Sequence, residues 1–536
     1  MRAGKFVSPA ITFIVCSLTL LLSGPASSHD EPGKLGKVNF TVSCSADVQQ
    51  GFNSAVAMLH NFWYPQSVNA FTELTKADPG CAMAYWGIAM GERTNPLGAP
   101  PAALAKRGWE AIEKAKTLGA KTQRERDYIA AMDIYYKGWD KLERGTRVLA
   151  YEKVMEELSL RYPEDIEAAL FYALALNEAI TVLPADKTYS RHLKAAAICE
   201  RVLAKNPDHP GALHYQIHSY DYPALATRGV AAADRYASVA SSAPHALHMP
   251  SHVYSMLGMW QESIQSNRAA LGVAKSYVHA MDFTAYAYLQ MAQDRQAERL
   301  MNESLALQKV AGGTFQRSPT GGVLSVYTAY AAIPARFAIE RGAWAEAAAL
   351  ELRPMAPPAD AITHFTRAMG FARLSDAVNA RKDIDKLQTL RDELANSKQD
   401  YWAEQVDIQR KAATAWVAQA EGKKAEALTL MRSAADLEDA SEKSVAMENR
   451  LWPMRELLGE LLLEQNEPAL ALKEFEASLG EARNRLRGFY GAAKAAERAG
   501  DLHKARMFYE KVAALTRNTD SDRQEIKQAK AFLATR

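Results

Sequence analysis

Signals for β-strands are nearly absent from this chain of 536 residues. A half-buried strand has apolar residues at every second position. Here the apolar residues recur at the three- and four-residue spacing of a helix instead. The glycine pairs at 312–313 and 321–322 lack the Gly-Lys-Ser/Thr ending of a phosphate-binding loop. The chain is therefore expected to be helical and to contain no phosphate loop.

The sequence also has no excess of charge of either sign. Lysine and arginine together number 64 and aspartate and glutamate 62, which gives a formal net charge of +2 at pH 7. Loss of an N-terminal segment that contains Arg2 and Lys5 would bring this charge to about zero. A neutral protein offers no electrostatic basis for binding nucleic acid, so no nucleic-acid partner is expected.

Long apolar runs are missing too, apart from one near the N-terminus. Arg2 and Lys5 precede a mostly apolar run from Ala10 to Leu22, and small residues follow it. This order is typical of a secretory signal peptide, which we predict to be residues 1–28. A membrane-spanning helix needs about 20 apolar residues, and no later segment approaches that length. The mature chain is predicted to be periplasmic or secreted, without a membrane span.

Cysteine is scarce, with four residues in the whole sequence. One lies inside the N-terminal apolar run, so Cys44, Cys81 and Cys199 remain in the mature chain. In the oxidising compartment that a secreted protein enters, Cys44 and Cys81 are predicted to form a disulfide that closes the first helical pair. Cys199 occupies an apolar helical position and is expected to be a buried thiol.

What the chain does contain is a succession of amphipathic helical stretches rich in alanine, leucine and glutamate. A small residue, a bulkier residue four later and a proline eight beyond that recur as Ser67, Phe71 and Pro79 and as Ala195, Cys199 and Pro207. Turn-plus-helix signatures recur at 257–263, 341–347, 421–427 and 499–505. Such self-similarity indicates a repeat protein built from helix pairs.

Three consecutive stretches, which begin at Pro210, Pro244 and Val278, align at a period of 34 residues. Their second, fifth and ninth places are, in order, Gly211, His214, His218, His245, His248, His252, His279, Asp282 and Tyr286. Six of these nine places hold histidine, whereas nine places drawn at random from a chain with 12 histidines would hold about 0.2. Because residues three and four apart share a helix face, the register predicts a patch of imidazoles on successive helices.

These features resemble the tetratricopeptide repeat superfamily from about residue 48 to residue 515. The resemblance implies an all-α fold, a right-handed superhelix (solenoid) of helix pairs whose first helices line a concave groove. In that family the second, fifth and ninth places of a repeat usually face the groove, so the residues expected to line it are His214, His218, His245, His248, His252, His279, Asp282 and Tyr286. Stretches 60–64, 78–87 and 248–252 are also similar to a subgroup of exported bacterial repeat proteins.

The repeats predict that the mature chain is divided into four segments. Residues 29–47 are predicted to be an N-terminal linker, 48–309 the N-terminal and central repeats with the histidine-rich groove, 310–327 a glycine-rich interruption, and 328–536 the C-terminal repeats. The array could bend or split near the interruption, because glycine breaks helical periodicity.

The chemistry that the histidine patch favours is the binding of a transition metal: zinc, copper or iron. Histidines four apart on one helix can chelate one ion together. Packed helices lie about 8 to 10 Å apart and metal–imidazole bonds are about 2.0 to 2.1 Å long, so pairs on neighbouring helices can converge. One ion between the middle helix and a neighbour is expected, and two ions can be accommodated. The candidate ligands are His214, His218, His245, His248, His252, His279 and Asp282.

Three further residues are predicted to orient the ligands from behind. Asp221 and Tyr222 follow His218 by one helical turn, and Tyr286 occupies the last place of the register. Groups that hold the second nitrogen of a ligand imidazole fix its orientation and its tautomer.

Three functions remain open on the sequence alone. The first is an exported binding or scaffold protein whose groove holds a protein or peptide segment and carries the metal site. The second is a metal-dependent hydrolase or oxidoreductase, in which the ion keeps an open position for water. An enzyme would need an acid or base beside the ion, and Asp221, Asp282 and Glu262 are the nearby candidates. The third is a metal-free peptide-binding groove.

Export yields a direct test. Because the apolar run is short and is flanked by basic and small residues, the mature chain should begin near Ser27 or His29. N-terminal sequencing of protein isolated from its native source measures this. An intact Met1 in a membrane fraction would contradict the prediction.

Overall fold

The computed structural model of the chain describes residues 33–311, 324–441 and 450–535, together with Met1 and Gly4. The chain divides into residues 1–33 and a compact unit, Lys34–Arg536. All the helices given below belong to that compact unit. The predicted signal peptide, apart from Met1 and Gly4, and the stretch 312–323 of the predicted interruption lie outside the described residues.

The N-terminal part of the compact unit consists of eight helices that pack in chain order. They are α1 (Gln49–His60), α2 (Tyr64–Ala77), α3 (Ala82–Glu92), α4 (Ala102–Leu118), α5 (Gln123–Tyr136), α6 (Arg144–Arg161), α7 (Ile166–Ile180) and α8 (Ser190–Lys205). Their apolar faces enclose one core that contains Phe40, Phe71 and Trp86. The segment predicted as a linker therefore contributes to this core from residue 40.

The central part carries the register of histidines. Its helices are α9 (Pro210–Tyr220), α10 (Val230–Val239), α11 (Pro244–His248), α12 (Pro250–Leu257), α13 (Trp260–Val273), α14 (Val278–Gln290) and α15 (Asp294–Ala311). Proline is tolerated at the first position of a helix, where its missing N–H would have no partner. A second proline, Pro250, interrupts the helix that the register predicts from residue 244, because it cannot donate to the carbonyl four residues earlier.

The C-terminal part continues the same pattern. Its helices are α16 (Leu324–Glu340), α17 (Trp344–Ala348), α18 (Pro357–Arg373), α19 (Ala377–Asn396), α20 (Asp400–Ala420), α21 (Lys424–Ala440), α22 (Met454–Glu464), α23 (Pro468–Glu481), α24 (Leu486–Ala499), α25 (Leu502–Leu515) and α26 (Gln524–Ala534). No strand occurs among the described residues. The all-α solenoid of tetratricopeptide-type helix pairs is thus confirmed. The described residues also contain no helix long and apolar enough to cross a membrane.

One covalent link lies near the start of the compact unit. Cys44 and Cys81 are joined by a disulfide with an S–S distance of 2.04 Å, which ties the segment before α1 to the N-terminal end of α3. Cys199 on α8 is a buried free thiol, and burial raises its pKa well above the ordinary value.

The turn after α23 contacts the central helices. The indole nitrogen of Trp260 donates to the carbonyl of Asn484 at 2.8 Å, and the backbone N–H of Leu486 donates to Gln290 Oε1 at 3.0 Å. Gly258 ends α12 with φ 68°, and a Cβ there would lie 2.4 Å from Asn484 Cβ. A residue without a side chain is therefore required at this contact.

Arg485 is the charged group at the centre of this contact. Its guanidinium is buried, pairs with Glu340 at 2.9 Å and Glu456 at 3.0 Å, and donates to the Tyr286 hydroxyl at 2.7 Å. It thereby connects α14, α16 and α22. Two buried carboxylates share this cation, with Arg487 a more distant partner of Glu456 at 3.9 Å, and removing one partner from a buried ion pair is strongly destabilising.

Replacing Arg485 with Met should lower the free energy of unfolding by about 3 to 5 kcal/mol, because Glu340 and Glu456 both lose the cation that pairs with them at about 3 Å. Adding Glu340→Gln and Glu456→Gln should recover part of that loss. Urea unfolding followed by circular dichroism measures both effects. The matched control Arg506→Met, at a more exposed arginine on α25, should change stability by no more than about 0.5 kcal/mol. Equal effects at the two arginines would contradict the assignment.

Candidate metal centre

The three helical stretches of the 34-residue register bring their six histidines into one cluster. His214 and His218 lie on α9, and His279 lies on α14. His245, His248 and His252 lie on α11 and α12 between them. Neighbouring imidazole rings have centroids 4.7 to 6.2 Å apart. The helix starts at residues 210, 244 and 278 are confirmed.

The ring nitrogens form two groups of three. In each group, one ring nitrogen per residue lies within 4.8 Å of those of the other two. The first triad is His214, His218 and His245, and the second triad is His248, His252 and His279. Each triad therefore combines the fifth and ninth places of one stretch with the second place of the next. The sequence predicted one ion and allowed two, and the structure divides the histidines into two equal sets.

In the first triad, the Nε2 atoms of His214 and His245 face each other at 3.1 Å. His214 Nδ1 lies 2.6 Å from the carbonyl oxygen of His60 and must donate to it, because a carbonyl only accepts. The Nδ1 atom of His245 lies 3.0 Å from the Tyr277 hydroxyl. A neutral His214 therefore directs the lone pair of Nε2 towards His245.

In the second triad, both outer nitrogens face acceptors. His252 Nδ1 lies 2.8 Å from Asp221 Oδ2, and His248 Nδ1 lies 2.6 Å from Asn267 Oδ1. The orientation of the Asn267 amide is fixed because its Nδ2 donates to the carbonyl of Ser263 at 2.8 Å. Both histidines must therefore donate from Nδ1.

A consequence follows for the inner nitrogens of the second triad. The Nε2 atoms of His248 and His252 lie 2.9 Å apart. In the neutral imidazole one nitrogen donates and the other accepts, so both Nε2 atoms carry lone pairs. Two acceptors at hydrogen-bond distance repel unless a cation lies between them. That cation is either a proton, which makes one ring an imidazolium, or a metal ion.

Burial opposes the proton. The exposed fractions of His214 and His248 are 0%, and that of His252 is 2%. Burial lowers the pKa of His214 to about 3, and it lowers the pKa values of His245 and His248 well below the usual range. A neutral imidazole is the protonation state that binds a metal ion.

The expectation that these histidines line an open groove is wrong. Five of the six are buried, and His279 is partly exposed. The reason is the turn after α1, where the Phe62 ring packs on the first triad with centroids 4.3 Å from His214, 5.5 Å from His218 and 5.4 Å from His245. Phe62 has φ 50°, a left-handed conformation that costs about 1 to 2 kcal/mol. Tertiary packing holds this strained residue against the histidines.

A second phenylalanine covers the second triad in the same way. Phe283 lies on α14, and its ring centroid is 5.0 Å from His248, 4.9 Å from His252 and 5.1 Å from His279. Each triad therefore has one phenylalanine packed on all three of its rings. The sequence analysis identified neither phenylalanine.

Asp282 and Tyr286 lie on α14 with His279 but have other partners. Asp282 Oδ1 accepts from Arg336 Nε at 3.0 Å, and Asp282 belongs to neither triad. Burial raises the pKa of Asp282, and the guanidinium opposes that shift. The Tyr286 hydroxyl accepts from Arg485. The structure therefore does not bring these two predicted residues to the histidines, because buried arginines from other helices bind them.

Of the remaining predicted residues, Asp221 contacts a triad histidine, whereas Tyr222 and Glu262 have other surroundings. Asp221 accepts from His252, as a group that orients a ligand would. The ring of Tyr222 packs edge-on against His192, with centroids 4.3 Å apart, and His192 belongs to neither triad. Glu262, a candidate base, is exposed on α13. Asp221 is bound to His252, and Asp282 is bound to Arg336.

A third polar group, which the sequence analysis missed, lies behind the first triad. Glu167 on α7 accepts from His60 Nε2 at 2.6 Å and from His209 Nε2 at 3.0 Å, and all three residues are buried. His60 Nδ1 also lies 2.8 Å from the Tyr215 hydroxyl. These three side chains satisfy the spacing of a metal-binding group, but the hydrogen bonds to Glu167 already account for their arrangement.

The position of His60 explains the one glycine in the register. A Cβ on Gly211 would lie 2.3 Å from His60 Nδ1, so the ring of His60 occupies the space that a side chain at 211 would need. Gly211, one of the three register places without histidine, was therefore a sequence signal for this group.

The chain is similar at low sequence identity to several solved structures. No protein-family model matches the chain, and no curated protein matches it. Among solved structures, a tetratricopeptide repeat protein from Parabacteroides merdae matches at 12% identity and a TM-score of 0.25, covering 68% of this chain and 98% of that one.

Two further solved structures match over more of the chain. The human IFIT1 dimer with m7Gppp-AAAA matches at 12% identity and a TM-score of 0.40, over 81% of this chain and 90% of that one. The APC/C hetero-tetramer Cut9-Hcn1 matches at 12% identity and a TM-score of 0.32, over 90% and 89%. These values are too low to support an argument, so the fold assignment rests on the helix pairs of the chain itself.

The buried neutral histidines predict how the stability of the metal-free protein depends on pH. A histidine whose folded pKa lies below its unfolded value of about 6.5 favours folding above that pH, and this stability is lost as the pH falls. His214 should contribute a loss of about 1.4 kcal/mol per pH unit below about pH 6. Urea unfolding of chelator-treated protein between pH 7 and pH 5 measures the slope.

The variant His214→Phe provides the comparison for this slope, since it removes the titrating group and retains an aromatic ring. Its stability should fall less steeply with pH than that of the wild type. The control His503→Phe, at an exposed histidine, should leave the slope unchanged. Equal slopes in wild type and His214→Phe would show that His214 does not titrate below its ordinary pKa.

Proposed function

We propose that this chain is an exported helix-pair repeat protein that binds transition-metal ions in its two histidine triads. The observation that carries the proposal is the pair of facing acceptors in the second triad. His248 and His252 donate from Nδ1 to Asn267 and Asp221, and their Nε2 atoms lie 2.9 Å apart in a buried site. A metal ion gives both nitrogens a common partner without protonating either ring.

The spacing of the nitrogens supports this occupant. Two imidazoles on one tetrahedral ion, with bonds of about 2.0 to 2.1 Å, place their nitrogens about 3.3 Å apart. The observed separations are 3.1 Å in the first triad and 2.9 Å in the second. Small shifts of the side chains would therefore open each site to an ion.

The outer hydrogen bonds support the same assignment. A histidine that binds a metal ion almost always donates its other ring N–H to a carboxylate, a carbonyl or water. His252 donates to a carboxylate, and His214 donates to a backbone carbonyl. These bonds present Nε2 of each ring in the neutral, lone-pair form before any ion arrives.

The wider role that fits the fold is that of a binding scaffold for a protein or peptide segment. Helix-pair repeats expose extended surfaces that suit such partners. The buried histidines are not available to that partner, so the metal would be structural or carried. The disulfide between Cys44 and Cys81 supports an oxidising, extracytoplasmic location.

A hydrolytic enzyme is the weaker candidate for the same site. Metal-dependent hydrolysis needs a group that takes a proton from the bound water. Asp221 accepts from His252 and Asp282 accepts from Arg336, so these carboxylates have other partners. Binding of the ion therefore requires fewer additional assumptions than hydrolysis does.

Metal content tests the proposal directly. Protein isolated from its native compartment should carry about one or two equivalents of zinc, copper or iron, measured by elemental analysis. The double variant His248→Leu and His252→Leu should lose the ion of the second triad, because two of three ligands are removed. A chelator should lower the melting temperature of the wild type more than that of the variant, since metal binding is linked to folding.

The control for this experiment is His503→Leu, at a histidine outside both triads. It should retain the wild-type metal content and the wild-type response to chelator. Circular dichroism should show that each variant is helical before its metal is counted. Equal metal content in the double variant and the wild type would reject the second triad as a metal site.

A further inference from the structure

The two triads are directly adjacent. His245 of the first triad and His248 of the second lie three residues apart on α11, and their ring centroids are 6.0 Å apart. His218 and His252, also from different triads, have centroids 6.2 Å apart. Within the triads the separations run from 4.7 to 6.2 Å. The distance between triads is therefore no greater than the largest distance inside one.

The two triads are also equivalent in composition. Each has three histidines, taken from the same register places of successive stretches, and each has one phenylalanine packed on all three rings. An ion that suits one set of ligands therefore suits the other. Two ions bound in this way would be of the same element and would lie within one cluster of side chains.

The ligand type distinguishes among the metals. Both triads consist of imidazoles alone, without a carboxylate or a thiolate. Nitrogen ligands bind copper more tightly than zinc or iron in the order of divalent first-row metals. An all-imidazole site of this kind therefore favours Cu²⁺.

We propose that the six histidines form one dinuclear copper centre, with one ion in each triad and the two ions close enough to interact magnetically. This inference rests on the proposed function, since it requires that the triads bind metal. It adds the identity of the metal and the coupling of the two sites. His245 and His248, which lie on the same short helix, would hold the two ions side by side.

The experiment is a titration of chelator-treated full-length protein with Cu²⁺. Equilibrium dialysis counts the bound copper, and electron paramagnetic resonance counts the unpaired spins. Wild-type protein should bind about two equivalents of copper. Its spin count per copper should fall as the second ion enters, because two neighbouring Cu²⁺ ions couple.

Variants in single triads provide the matched comparison. His214→Leu with His218→Leu should bind one copper fewer, as should His252→Leu with His279→Leu, and each should show one full, isolated spin per remaining ion. The exposed-site control His503→Leu should behave as wild type. The wild-type measurement alone tests the coupling, so the proposal stays testable even where a variant fails to fold.

The outcomes separate the two proposals. Two bound copper ions with the full spin count of isolated ions would overturn the dinuclear centre but retain two metal sites. Stoichiometric binding of Zn²⁺ with no stoichiometric binding of Cu²⁺ would overturn the choice of copper and retain the metal-binding function. Failure to bind either ion would overturn the dinuclear centre and the proposed function together.

Discussion

The hydrogen bonds that hold the outer nitrogens of His248 and His252 are the constraint on which the site depends. Asn267 and Asp221 present only oxygen acceptors to these rings, which leaves both inner nitrogens as acceptors. Two acceptors 2.9 Å apart need a cation between them. Because burial lowers the pKa of His248, these hydrogen bonds support the proposal that a metal ion, rather than a proton, lies between the two rings.

Burial in turn depends on two phenylalanines from different parts of the chain. Phe62 follows α1 in a strained left-handed conformation, and Phe283 lies on α14. Their rings pack against the six imidazoles. Solvated histidines in a groove would titrate near neutral pH, whereas burial lowers the pKa values of His214, His245 and His248. The two rings thus support the proposal that the cluster binds an ion rather than titrating as an open surface.

The C-terminal repeats contribute to the site from a distance. Arg336 on α16 binds Asp282, and Arg485 before α24 binds Tyr286, so both predicted residues of α14 are held away from the triads. The same arginines, together with the contact between Gln290 and the start of α24, fix the helix that carries His279. Ligand geometry in the second triad therefore depends on residues about 200 positions further along the chain.

The sequence by itself determined the helix pairs, the 34-residue register and the helix face on which six histidines lie. Helical periodicity depends on residues that are close in sequence, so it can be recognised in each repeat separately. Only the tertiary structure decided that the histidines divide into two triads, that Phe62 covers one of them, and that Asp282 turns to Arg336. These features depend on contacts between residues far apart, such as His214 with the carbonyl of His60, 154 positions earlier. Periodicity shows which face of a helix is polar, but it carries no information about which distant segment will pack on that face.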